Sequence, residues 1–246
     1  MIKLELAPCP ARLTPEFQAT KTQEFKDTGN SVWDIEWLKE AVFDLSFGKC
    51  CYSEVKLGEE SKNMEIEHFH PKSLYQDEVM SWGNLLPSLK KCNGKKGTLD
   101  TKSEPIINPF IHNPKDFFYI KACRYYAKDT NRIVAKRSIE KLDLNDRITF
   151  VNPRLDIFNG ITNELADRKI DFDTFQDILI PIGRIKRLMQ TGNRKKEYSA
   201  LVSTIILSDD NYIAIEKLLI EKNLWDAELE ALKSELNFCS LLPAAE

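Results

Sequence analysis

Apolar residues recur at Ile35, Leu38, Val42 and Leu45, three and four apart, and Gly48 follows where a helix would stop. That spacing predicts an amphipathic helix over roughly 32–47. Two runs short enough for strands come next, Cys50 to Val55 and Met64 to His68, joined by a polar Gly58-Glu59-Glu60 turn. Pro105, Pro109 and Pro114 mark a loop-rich crossing, and the aromatic run from Phe117 to Tyr126 is β-prone. From about residue 137 the pattern turns helical, beginning with Ile139, Leu142 and Leu144. Trp225, Leu229, Leu232 and Leu236, spaced by four, three and four, predict an amphipathic helix near the end. The fold class is α+β, a small strand-strand-helix module embedded in a mostly α-helical protein. Residues 1–110 would hold the brace helix and that module, and 111–246 a mainly helical region.

Composition adds little to this picture until charge is mapped. With 246 residues, 42% apolar and 30% charged, the chain reads as an ordinary soluble protein. No stretch reaches bilayer length, and Met1-Ile2-Lys3-Leu4-Glu5 lacks the features of a signal peptide, so the expectation is cytoplasmic with no membrane partner. The net charge of -3 is unevenly spread. Residues 209–246 hold nine acids against three lysines, which leaves the first 208 residues at +3. The acidic segment carries an apolar stripe and is expected to be a packed helix with a charged outer face. Lysines 90, 91, 95, 96 and 102 form one basic concentration, and Arg184, Lys186, Arg187, Arg194, Lys195 and Lys196 a second. The first adjoins the candidate chemistry and is assigned to phosphate contact; the second is open between a solvated helix face and nucleic-acid contact.

That chemistry lies within residues 65–97, which contain Glu67-His68, Asn84-Leu85 and Cys92-Asn93-Gly94-Lys95-Lys96. A divalent cation that must hold a phosphate and a leaving oxygen wants hard oxygen ligands, which Glu67 and the Asn93 side-chain carbonyl can supply with positions left for substrate and water. Mg²⁺ or Mn²⁺ would suit. A neutral imidazole beside that metal can take a proton from water, and His68 adjoins Glu67. Its second nitrogen needs a carbonyl to fix the tautomer, and Asn84 is the natural partner. His70, two places on, is expected on the same strand face. It is open between a substrate contact, a third ligand and an exposed residue. His112 follows the Asn108-Pro109 turn and is expected to face solvent.

This segment resembles an HNH endonuclease of the ββα-metal family, whose members show an acid-His pair ending one strand, an Asn-Leu starting the next, and a Cys-Asn-x-x-Lys run on the following helix. The resemblance implies His68 as general base, Asn84 as the residue orienting it, and Glu67 and Asn93 as metal ligands. His70, Lys72, Lys90, Lys91, Lys95 and Lys96 are assigned to nucleic-acid contact. Many HNH proteins also hold a structural zinc with two Cys-x-x-Cys pairs. Here those pairs read Cys50-Cys51-Tyr52-Ser53 and Leu89-Lys90-Lys91-Cys92, one sulfur short in each, so no structural zinc is expected and Cys50 and Cys92 should meet as buried thiols, with a disulfide the less favoured alternative in a reducing cytosol.

The wider layout adds Ile107-Asn108-Pro109 and Ile139-Glu140-Lys141-Leu142-Asp143-Leu144-Asn145. It is similar to the HNH subunit of Septu-type antiviral systems, a subunit that some retron systems also carry. That resemblance implies a nuclease effector working with an ABC-like ATPase, and in retron systems with a reverse transcriptase and its nucleic acid. DNA is the default substrate, and RNA, including tRNA, stays open because nothing in the motif reads a base or a 2′-hydroxyl. The alternatives are a catalytically weak binding or scaffold subunit and a stand-alone restriction or homing nuclease.

Overall fold

The computed structural model describes residues 1–58, 64–175 and 177–243. They divide into two compact units, one of Lys3–Asn113 with Asn131–Leu144, the other of Met1–Ile2, Pro114–Thr130 and Asn145–Glu246. Each combines one two-stranded antiparallel sheet with helices, an α+β architecture as expected. No helix of the described residues is long and apolar enough to cross a membrane.

The first unit opens with α1 (Pro15–Thr28), started by Thr14, whose hydroxyl accepts from the Phe17 amide at 3.1 Å, and ended by Gly29 at a φ of 72°. This helix has no clear apolar stripe, and periodicity gave no sign of it. The brace helix α2 (Glu36–Asp44) is shorter than the 32–47 its spacing suggested. It stops because the chain turns at Phe47 and Gly48, both at positive φ, and a Cβ on Gly48 would sit 2.8 Å from the Phe43 ring. Leu38 and Val42 are buried beside Phe25, Trp33, Ile66, Met80 and Leu85 in one core. The run from Cys50 to Val55 is not a strand. Its ends close on themselves, with Cys50 N–H donating to the Val55 carbonyl at 2.8 Å and Glu54 N–H to the Cys50 carbonyl at 2.9 Å. The apolar content of that run reflects burial of a tight turn rather than pleating. Glu59 and Glu60 of the expected turn lie outside the described residues.

Strands β1 (Met64–His68) and β2 (Leu85–Leu89) pair with Glu67 opposite Leu86 and His68 opposite Leu85, and α3 (Lys90–Lys96) follows directly. Every residue of β2 is buried, so the hairpin is covered on both sides. In the second unit, β3 (Phe118–Lys121) and β4 (Arg124–Ala127) form a tight hairpin, matching the β-prone aromatic run. Helix α4 (Arg132–Lys141) belongs to the first unit, where the Ser138 hydroxyl accepts from the Ile107 amide. A π-helical turn at Arg147–Val151 leads into the long α5 (Asn152–Thr174). Helices α6 (Leu179–Gln190), α7 (Ser199–Ser208), α8 (Asp210–Glu221) and α9 (Ala227–Cys239) complete that unit. Helix α7 is apolar nearly all round and buried from Ser199 to Ile206, which makes it the central rod of the bundle. Leu229 and Leu236 of α9 are buried, with Leu218, Trp225 and Leu232 packed against the same core, so the acidic segment is a packed helix as expected.

Candidate functional site

Helix α3 lies against β1 so that two of its residues each take one carboxylate. Asn93 Nδ2 donates to Glu65 Oε2 at 2.8 Å, and the Lys96 ammonium sits 2.6 Å from Glu67 Oε1 and donates to the His68 carbonyl at 2.8 Å. The fit follows from period: residues two apart share a strand face, and residues three apart share a helix face. Glu65 escaped the sequence reading, although its parity with Glu67 was a usable signal. Both Glu67 and Lys96 side chains are 1% exposed. Lys96 had been assigned to nucleic acid; the ion pair buries it instead, and its donors point inward. Burial pushes the Glu67 carboxyl up to about 7 even with Lys96 beside it.

His68 is the last residue of β1, and its ring meets the Trp33 ring edge-on with centroids 4.4 Å apart. Its Nε2 lies 3.0 Å from the Val79 carbonyl. A carbonyl only accepts, so Nε2 carries the proton and the Nδ1 lone pair is left free. Burial drives this imidazole down to about 4, and the charges of Lys72 and Lys96 push the same way, so it is neutral near pH 7. The carbonyl that fixes the tautomer was expected from Asn84. Asn84 instead accepts from the His70 amide at 2.7 Å and donates to the carbonyls of His70 and Glu78, at 3.2 and 3.1 Å. It straps the 70–79 loop together and thus acts on His68 at one remove, through Val79.

Glu67, His68, Lys72 and Asn93 line one open cleft of about 110 Å³ at the end of the hairpin. Lys72 reaches over the Trp33 ring at 4.8 Å, which makes Trp33 a wall for the imidazole and a seat for a cation. The motif gave no hint of Trp33, since it comes from the loop before α2. His70 departs from expectation because β1 ends before it. Its Nδ1 is 2.5 Å from Glu78 Oε2, and Glu78 also binds Lys102, so His70 belongs to a neighbouring polar cluster. Lys90 is exposed, while Lys91 and Lys95 reach Asp143 at 3.2 and 3.5 Å. His112 is half-buried rather than solvent-facing, and its Nδ1 accepts from the Asn108 amide at 3.1 Å.

Cys50 and Cys92 do meet: their thiols hydrogen-bond, and Ser53 N–H donates to the Cys50 sulfur at 3.5 Å. All six cysteines are free thiols. Burial pushes the Cys51 thiol up, and the Cys50 contact together with burial raises Cys92; at Cys50 burial is outweighed by donors from Cys92 and Ser53, which hold it near 5. Among the described residues no three His, Cys, Asp or Glu side chains converge on one point. The cleft nevertheless suits a hard divalent cation. Asn93 gives its amide donor to Glu65, leaving its carbonyl oxygen available, and Glu67 is a buried carboxylate that an added positive charge would favour.

Comparison with known proteins places the chain in a family. Residues 50–99 match the family model described as HNH endonuclease, which covers the Cys turn, both strands and α3. Over 243 residues the chain is 37% identical to the Septu protein PtuB of Bacillus thuringiensis, covering 95% of this chain and 93% of that one. A match of that extent takes in both units as well as the motif, and the chain belongs to the HNH nucleases of Septu type.

Proposed function

We propose that this protein is a metal-dependent endonuclease hydrolysing phosphodiester bonds in nucleic acid. The observation that carries the reading is the cleft in which a neutral, tautomer-locked His68, a buried Glu67 and an amide-oriented Asn93 face one space. His68 Nδ1 takes the proton of an attacking water. Glu67 and the Asn93 carbonyl would hold Mg²⁺ or Mn²⁺, which would supply charge stabilisation to the phosphate and the leaving oxygen. Asn84 keeps the 70–79 loop in place so that the Val79 carbonyl fixes the base. Lys72, on its Trp33 seat at the rim, meets substrate phosphate, with the exposed Lys90 and Lys95 as outer contacts. DNA is the default substrate.

Resemblance to the Septu subunit supports a gated effector, controlled by a partner ATPase and, in a retron setting, by a reverse transcriptase and its nucleic acid. The test incubates purified protein with supercoiled plasmid, with single-stranded DNA and with tRNA, in Mg²⁺, in Mn²⁺ and in chelator, alone and with an ABC-like ATPase of a Septu system. Cleavage that needs metal and rises with the partner supports the proposal. Metal-independent cleavage removes the metal assignment, and brisk cleavage that no partner improves replaces gating with a stand-alone nuclease.

A further inference from the structure

The β3–β4 hairpin presents a face that the phosphodiester chemistry leaves unused. Phe118, Ile120 and Tyr125 turn into the core, whereas Tyr119, Lys121, Arg124 and Tyr126 lie on the other side. The register sets Tyr119 directly opposite Tyr126 and Lys121 directly opposite Arg124. The two tyrosine rings stack with centroids 5.3 Å apart and 16° between their planes, and Tyr126 remains 39% exposed.

A cross-strand aromatic pair steadies a hairpin, but like charges set directly opposite one another weaken it. Lys121 and Arg124 therefore carry a structural cost that the hairpin itself does not repay. Among the described residues no carboxylate pairs with either, and the Arg124 guanidinium has only the Asn145 carbonyl at 3.5 Å. The connecting turn is held just as firmly. Ala122 and Cys123 both take positive φ, 46° and 60°, positions that Asn-Gly usually fills, and the buried Cys123 thiol is anchored on the Arg154 carbonyl at 3.5 Å. A two-residue turn admits one register, so the aromatic pair and the cation pair are presented side by side and rigidly.

We propose that this face binds single-stranded nucleic acid, its bases stacking on Tyr119 and Tyr126 and its phosphates meeting Lys121 and Arg124. An aromatic platform beside cations is the chemistry that holds single strands without reading sequence. In a duplex the bases are stacked on each other and cannot reach such a platform. The inference supplies a second strand-holding surface beyond the cleft, and it does not depend on the metal chemistry.

Fluorescence anisotropy with labelled dT and U homopolymers of about twenty nucleotides, long enough for a platform of this kind, tests it. The full-length protein carrying His68→Ala is used in chelator, so that cleavage plays no part. Tyr126→Ala should weaken binding about fivefold to a hundredfold, while Tyr126→Phe, which keeps the ring, stays near the parent. Lys121→Gln with Arg124→Gln should lower the slope of log affinity against log salt by about 1.4, two phosphate contacts fewer. Both residues point away from the core, so this variant decides the matter even where Tyr126→Ala fails to fold. Binding of dT over U, or the reverse, tells DNA from RNA. Affinity and salt slope unchanged in the folded variants overturn the proposal, as does loss in Tyr126→Phe equal to that in Tyr126→Ala. Absence of single-strand binding by the parent also overturns it, and leaves a protein partner as the occupant. None of these results touches the nuclease reading, which rests on cleavage by the unmodified site.

Discussion

The β1–β2 and β3–β4 hairpins are both short and antiparallel, five pairs long and four, but are built by different rules. In β1–β2 both faces are covered, and polar groups are buried within it: Glu67, His68 and Ser88 sit among leucines. In β3–β4 one face is core and the other solvent, so buried and more exposed positions alternate. The first hairpin is joined through the 69–84 stretch, which supplies the Val79 carbonyl and the Asn84 strap, and the second through two residues. Buried polarity is costly unless partnered, so the first hairpin reports a site assembled from several elements. A one-sided hairpin buries no such groups, and there the informative residues are the exposed ones.

Removing the base is the sharpest way to break this contrast. His68→Ala should lower cleavage about a hundredfold to ten-thousandfold, the usual worth of a positioned base, with the circular dichroism of the fold retained and melting lowered by loss of the buried ring and its Val79 partner. A purified variant cutting at the parental rate ends the assignment of His68. The next largest effect is on stability. Lys96→Met leaves the buried Glu67 without its cation, and breaking such a pair costs about 3 kcal/mol or more; an unchanged urea midpoint would show that the pair is not a working part of the hairpin.

That pair also carries a pH signature. In metal-free protein Glu67 has a folded pKa of about 7 against an ordinary 4.5. Between those values the unfolded chain has already released the proton that the folded one keeps, so this group's contribution to stability falls as pH rises from about 4.5 to about 7 and is level beyond. Glu67→Gln lacks the titration. The stability of the parent relative to Glu67→Gln, measured in chelator, should therefore decline across that window, and a flat difference rejects a raised Glu67.

The exposed hairpin should respond more weakly. Tyr126→Ala removes a cross-strand ring pair and should cost about 0.5–1 kcal/mol in thermal unfolding; a cost of several kcal/mol would mean that the ring is a core residue. Ala122→Gly relaxes a positive φ at the exposed turn and should stabilise by about 0.5 kcal/mol, because the relief of strain is partly offset by the freer unfolded chain. A marked loss there would show that the turn is not strained.

Local order carried much of this in the sequence. The strand Met64–His68, the Asn-Leu opening of β2, the Cys-Asn-x-x-Lys helix and the β-prone run at 117–126 are each set by residues close to one another, and each is found where the sequence put it. The Cys50–Val55 turn was misread because burial and pleating both favour apolar residues, and only long-range cover distinguishes them. Helix α1 was missed because its face against the core is narrow.

What the sequence by itself determined is the family, and the inventory and order of the candidate residues, Glu67, His68, Asn84 and Asn93, within a strand-strand-helix frame. What only the tertiary structure decided is which atom serves which. The Val79 carbonyl rather than Asn84 locks the imidazole, Lys96 is turned inward onto Glu67, Glu65 orients Asn93, and Trp33 walls the base from outside the motif. Backbone carbonyls have no residue identity to read, and a buried lysine is spelled like an exposed one. Their roles follow from distances between elements far apart in the chain, which residue type and local spacing do not encode.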